Sequence, residues 1–377
     1  MTTFLGVKGT LLKLTLIKTY EYTTFKYGGF MKKLSLFLVA IILGFTALLT
    51  GCGNKKSNVV RVNEVTHSVF YAPLYIAINK GFFEEEGLKI ELTNGGGADK
   101  VMSALTSNSA DIGLMGPEAT VYVVNQGKKD KPVVFGQLTK RDGSFLIGRK
   151  DIKNFKVSDI TGGATTLPEN ERPVILAGRA GGVPAMTLAY MLKENGLIDG
   201  QNITLRYDVP FDSMTAAFIG NVGDYVTAFE PAASSIVAQG KGYNLASVGS
   251  LSGEIPYTAF TANSSYITKN PDKINKFLRA IIKGYNYLIT ASVDDVVKAL
   301  APSFVGTSEE SLKNSFLAYK NIDAWSDTLS MKETAYNRLI DIIIDNGVLA
   351  KRVEFSNVVD NSYAEKAYKE IQIELAK

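Results

Sequence analysis

The chain has 377 residues, 46% hydrophobic and 21% charged, which is enough apolar material for two core-forming lobes and argues against a disordered chain. Its formal net charge of +4 comes from residues 1–51, which hold six Lys and one Glu; the remainder carries 35 basic and 36 acidic side chains, so its charge does not point to nucleic acid. One cysteine, Cys52, and one histidine, His67, exclude disulfides and cysteine-rich metal sites and leave little material for Ser-His-Asp or Cys-His catalysis.

Met31-Lys32-Lys33, the apolar run Leu34–Leu49 and then Leu49-Thr50-Gly51-Cys52 read as a lipoprotein signal peptide over residues 31–51 that ends in a lipobox. The run of about sixteen apolar residues falls short of the roughly twenty that a membrane span needs. Cys52 is then the lipidated new N-terminus, carrying palmitate-type acyl chains, and residues 52–58 form a polar tether. Residues 1–30 precede a signal that should begin near its Lys pair. They are expected to be a mis-assigned upstream extension, with Gly28-Gly29 translated from a ribosome-binding sequence before the Met31 codon.

Val60, Val62 and Val65 alternate with polar residues as a strand, and Pro73 fits the first position of a helix that Gly81 closes. Lys89–Leu92 alternates as the next strand, which makes the unit β-α-β. Gly95-Gly96-Gly97 breaks that strand, Asp99 begins a helix, Asp111–Met115 is a buried strand and Gly116-Pro117-Glu118 opens another helix. A strand from Val133 runs towards Gly143, where the chain is expected to leave the first lobe. Thr161–Pro173 is a polar surface loop. Val174–Ala177 is a strand, Gly178–Val183 a glycine-rich turn, and Pro184 starts a helix that Gly196 ends. Ile203–Val209, Asp212–Ile219 and Tyr225–Ala228 read as strand, helix and strand. At a constant offset of 113, Asp99 falls on Asp212, Leu105 on Phe218, Asp111 on Asp224 and Ala119 on Ala232, so the second lobe repeats the first. Glu254–Thr261 reads as the returning strand, after which the chain is helical: a helix from Pro271, two with capping boxes at Thr307 and Ser330, and a terminal helix over Tyr363–Leu375.

Pro73-Leu74-Tyr75-x-Ala77, Lys80-Gly81-Phe82-Phe83, Glu86-Gly87-Leu88 and Ala110-Asp111-Ile112-Gly113 together resemble the periplasmic-binding-protein family that serves importers of nitrate, sulfonates, taurine and thiamine-pyrimidine precursors, over roughly residues 59–370. The resemblance implies an α/β, two-lobed periplasmic-binding-protein-like fold of type II. Two strands cross between the lobes, and the C-terminal helices pack on lobe 1. The expected division is lobe 1 over 59–142, lobe 2 over 143–252 and a return to lobe 1 over 253–377. It also implies a monomeric solute-binding lipoprotein of an ABC importer, anchored on the extracytoplasmic face, with a small organic solute, an ABC permease and its ATPase as partners and no cofactor. The fungal enzyme of this fold that makes the thiamine pyrimidine uses a histidine and a cysteine-rich motif, for which this chain has no counterpart. An enzyme acting on a pyrimidine precursor and a sensory lipoprotein that binds a partner remain the alternatives.

By the same resemblance the turns line a ligand cleft. Phe70 and Tyr71 offer flat apolar faces, Gly116-Pro117 and Gly181-Gly182-Val183 offer backbone donors at helix N-termini, and Phe229 and Glu230 add a second aromatic and a carboxylate. Arg141 either clamps an anion, bridges to Glu118 or lies in a solvated turn, and Glu118 and Glu230 either recognise ligand or complement the helix macrodipole. Helix N-termini and Arg141 favour a sulfonate or carboxylate; two carboxylates beside aromatics favour an amino-pyrimidine or another nitrogen-rich ring.

Overall fold

Buried Val60 and Val62 alternate with more exposed Arg61 and Asn63 along the first strand, β1 (Val59–Glu64), of the computed structural model, which describes residues 58–377. The expected extension, signal peptide and lipidated Cys52 lie outside the described residues. β1 pairs in parallel with β2 (Lys89–Asn94) and β3 (Ile112–Met115), and the sheet is completed by β4 (Pro132–Thr139) and β10 (Thr258–Asn263) in the order β2-β1-β3-β10-β4. The second sheet has the order β7-β6-β8-β5-β9, built from β5 (Phe145–Gly148), β6 (Val174–Leu176), β7 (Thr204–Arg206), β8 (Tyr225–Ala228) and β9 (Tyr243–Ser247). β10 is antiparallel to β3 and β4, and β5 is antiparallel to β8 and β9. Each sheet therefore takes, in its fourth place, the strand that arrives from the other lobe.

The two crossings, residues 140–144 and 253–257, run side by side: Ile255 N donates to Lys140 O at 3.0 Å and Tyr257 N to Thr139 O at 3.1 Å. The returning strand begins at Thr258 and not at Glu254, because residues 253–257 are spent in the crossing. Phe70 packs flat on the first crossing at Gly143, where a Cβ would stand 2.6 Å from the ring.

The repeat is carried in hydrogen bonds as well as in pattern. β3 and β8 lie 113 residues apart at both ends. Asp111 Oδ2 accepts from Arg61 N at 2.9 Å, and Asp224 Oδ2 accepts from Val174 N, the equivalent position, at 2.8 Å. In each lobe one aspartate thus ties the start of β3 or β8 to its parallel neighbour and leaves the carboxyl ends of those strands free for the turns that follow.

The helix Pro271–Thr290 buries Ile274, Phe277, Leu278, Ile281 and Ile282 in the core of the first lobe and crosses the helix Ala72–Asn79 closely at Gly284. Two of the expected caps differ. The helix Glu309–Asn321 is capped by Ser308, whose Oγ accepts from Ser311 N at 3.2 Å, one residue later than Thr307. The helix Glu333–Asp345 follows Lys332 with no side-chain cap, and Ser330 instead donates its N–H to Thr328 Oγ1. The loop over 161–173 is tied to the second lobe, with Leu167 N donating to Gln201 O and Asn202 Nδ2 to Ala164 O, both at 3.0 Å.

Candidate functional site

The turns that follow the strand ends of the two lobes enclose a cavity of about 330 Å³. Its first-lobe wall comes from Thr66, Tyr71, Gly96–Lys100, Gly116 and Glu118, and its second-lobe wall from Arg179, Gly182–Pro184, Tyr207–Asp212 and Phe229, with Tyr257 of the second crossing and Thr258, the first residue of β10, also in the lining. Apolar and aromatic surface dominates, as expected for a pocket that holds an organic ligand.

Of the residues expected from sequence, Tyr71, Gly116, Glu118, Gly182, Val183 and Phe229 line this cavity. Phe70 does not: it is fully buried, with Tyr319 at 5.0 Å, Tyr71 and Phe229 at 5.6 Å and Tyr257 at 5.7 Å between ring centroids. It therefore supports Tyr71 and Phe229 from behind. Pro117 also lies outside the lining, at the cap of the helix Glu118–Asn125. Arg141 lies at the crossing, 3.9 Å from Asp323 and away from both Glu118 and the cavity. Gly181 lends its carbonyl to the hydroxyl of Tyr122 at 2.8 Å, a contact between the lobes. Glu230 is buried beside the cavity without lining it; its Oε2 accepts from Ser234 N at 3.0 Å, a use of the carboxylate at a helix N-terminus.

Glu118 is the first residue of its helix and only 1% exposed. Burial pushes its carboxyl up to about 7, against the pull of Arg179 and of the N–H groups of Glu118, Val183 and Ala119. Gly116 is where that carboxyl rests: a Cβ at residue 116 would stand 2.0 Å from Glu118 Oε2, so only glycine leaves room for it. Asp142 in the first crossing is likewise raised by burial to about 7, with Ser144 and Tyr257 drawing it back. At the mouth, Arg179 Nε of the second lobe lies 3.6 Å from Asp99 Oδ1 of the first.

Arg179, Asp99, Tyr207, Phe211 and Tyr257 are lining residues that the sequence reading left out of the site. Arg179 and Asp99 each stand beside a glycine run already read as a turn, which was the available signal. Tyr257 lay in a stretch read only as a strand. His67 is held outside the lining, with Nδ1 2.9 Å from Glu64 Oε1 and Nε2 2.7 Å from Ser303 O.

The model of the NMT1-like family matches residues 65–301. "Putative binding protein YtlA" of Bacillus subtilis (strain 168) is 37% identical over 311 residues, 82% of this chain and 90% of that protein. Among solved structures, the periplasmic nitrate-binding protein NrtA from Synechocystis PCC 6803 is similar with a TM-score of 0.68 at 18% identity, over 84% of this chain and 90% of its own. The alkanesulfonate-binding protein SsuA from Xanthomonas axonopodis pv. citri, bound to MOPS, is similar with a TM-score of 0.63 at 17% identity, over 81% of this chain and 99% of its own. At such identities these two likenesses concern the fold, which is the two-lobed fold of the periplasmic binding proteins. With that fold and a family match over more than half its length, the chain belongs to the NMT1-like family.

Proposed function

We propose that the protein is the solute-binding lipoprotein of an ABC importer, held at the extracytoplasmic face of the membrane by acyl chains on Cys52. It captures a small organic solute by closure of the lobes, bounded at 59–142, 143–252 and 253–377, and delivers it as a monomer to a permease driven by a separate ATPase. The observation that carries this reading is the largely apolar cavity whose walls come from both lobes, with Tyr257 of the second crossing in its lining, so that a bound solute would link the lobes. The family match, the relation to YtlA and the fold shared with nitrate- and alkanesulfonate-binding proteins support it. They also favour a binding protein over an enzyme.

A thermal-shift series with alkyl and aryl sulfonates, nitrate, thiamine and its pyrimidine precursors tests the reading. A ligand that binds only the folded state at 100 times its Kd adds about 2.7 kcal/mol, which a melting curve resolves readily. At least one of these solutes is expected to raise the melting temperature. A flat response across the whole series would move the protein to the partner-binding reading.

A further inference from the structure

The charge of the solute can be read from Glu118. In an open α/β lobe the seat for an oxyanion is the N-terminus of a helix after a glycine turn, where unpaired N–H groups converge. Here that place in the second lobe is Gly181–Val183, ahead of the twelve-residue helix Val183–Glu194. The carboxyl of Glu118, from the opposite lobe, already faces it, since the N–H of Val183 is among the groups that act on this carboxyl. The protein brings its own anion to the position that an anionic ligand would need.

The same carboxyl has capacity to spare. Glu118 Oε2 is buried and accepts no hydrogen bond, although it lies in the cavity wall, over the bare Cα of Gly116. A buried carboxylate oxygen without a donor is unfavourable, so a donor arriving with the ligand would satisfy it. The remaining charges point the same way: the lining holds four carboxyls, Asp99, Glu118, Asp208 and Asp212, against two cations, Lys100 and Arg179, the second of which lies 3.6 Å from Asp99 and also pulls on Glu118. Tyr71, Phe211 and Phe229 give the walls flat faces, from which a bare inorganic ion would gain little.

We infer that the solute is a planar ring bearing hydrogen-bond donor nitrogens, a neutral amino-heterocycle or a cationic amidine, held by Glu118 Oε2 between the aromatic walls, and not an oxyanion. The inference rests on the solute-binding reading and specifies the chemistry of that same site. It assigns Glu118 as the residue that sets specificity and Gly116 as the residue that makes room for it.

Four small probes separate the possibilities: benzamidine and 2-aminopyrimidine as planar donors, benzenesulfonate as a planar oxyanion and nitrate as a bare one. In thermal shift and calorimetric titration of the full protein, the two donors are expected to bind and the two oxyanions to leave the melting curve unchanged. Glu118→Gln should weaken donor binding at least tenfold while its own melting curve shows it folded. In the wild type at pH 6.5, donor binding should release protons, so that the measured heat depends on the ionisation enthalpy of the buffer. Burial raises the hydroxyls of Tyr71, Tyr122 and Tyr257 further from that pH, whereas Asp142, in contact with Tyr257 and also raised to about 7, lies near it; the release should therefore be lost in Glu118→Gln, which keeps Asp142, and a release that persists in the variant overturns the assignment to Glu118.

Oxyanion binding as tight as donor binding overturns the inference, as does donor binding that Glu118→Gln leaves intact. Silence of both donors overturns it as well. If the oxyanions or the wider solute series still bind, the solute-binding reading survives that failure; if nothing in the wider series binds, the reading itself falls.

Discussion

Replacing Glu118 with Gln is expected to stabilise the unliganded protein by about 2–3 kcal/mol at pH 8 and by almost nothing near pH 4, an effect of pKa linkage. The sign follows from burial. The carboxyl titrates near 7 in the folded protein, well above the ordinary value of 4.5 that it regains on unfolding, so between those values the folded state holds the extra proton. Stability from this group is fully present below about pH 4.5 and is lost as the pH rises towards 7, above which a buried carboxylate must be kept charged. Gln keeps the shape and removes the charge. Melting curves from pH 4 to 8 check this: wild type and variant should coincide at the acid end, begin to separate above about pH 4.5 and reach their full separation above about pH 7. Equal curves at pH 8 would show that the carboxyl is not desolvated. Asp142, raised to about 7 by the same cause, leaves a residual slope of the same sign in the variant.

Gly284→Ala is expected to destabilise the protein by about 3 kcal/mol through overpacking. Gly284 faces the helix Ala72–Asn79, and a Cβ there would stand 2.2 Å from the carbonyl oxygen of Pro73 and 3.2 Å from both N and Cβ of Ala77. The obstacle is backbone, which cannot rotate away as a flexible side chain can. The helix Pro271–Thr290 would have to move off its partner, opposing the burial of Phe277, Leu278 and Ile281. The gain in helix propensity from Gly to Ala, at most about 1 kcal/mol, offsets only part of this. Urea denaturation measures the effect, and a change below about 0.5 kcal/mol would mean that the two helices do not meet as described.

Much of the fold was legible because punctuation repeats along the chain. Asp111 and Asp224 each stand five residues after a helix ends and directly before a buried strand, and their common hydrogen bonds to β1 and β6 explain why an aspartate stands at both places. The fourth strand of each sheet was harder to see. β5 is four buried residues, Phe145–Gly148, whose place between β8 and β9 is set by partners about 80 and 100 residues later and by no local pattern.

The site was half legible for a similar reason. Phe70 and Tyr71 both read as cleft faces in the sequence, but Gly143, remote in sequence, makes the flat seat that takes Phe70 and leaves Tyr71 to the cavity. Glu118 and Glu230 look alike in sequence, each at the start of a helix. Glu230 finds Ser234 N, whereas the Oε2 of Glu118 is without a donor in the cavity wall, a difference made by the opposite lobe. Arg179 and Asp99 meet only because the lobes face each other, and no spacing along the chain encodes that contact.

A solute held between the lobes should lose affinity when either lobe loses its flat face, which calorimetric titration of whichever solute stabilises the protein measures with wild type, Tyr71→Ala and Phe229→Ala. One solute per chain is expected, with at least tenfold weaker binding in each variant and both variants folded. Unchanged affinity in the two variants would contradict this and would place the solute elsewhere on the protein.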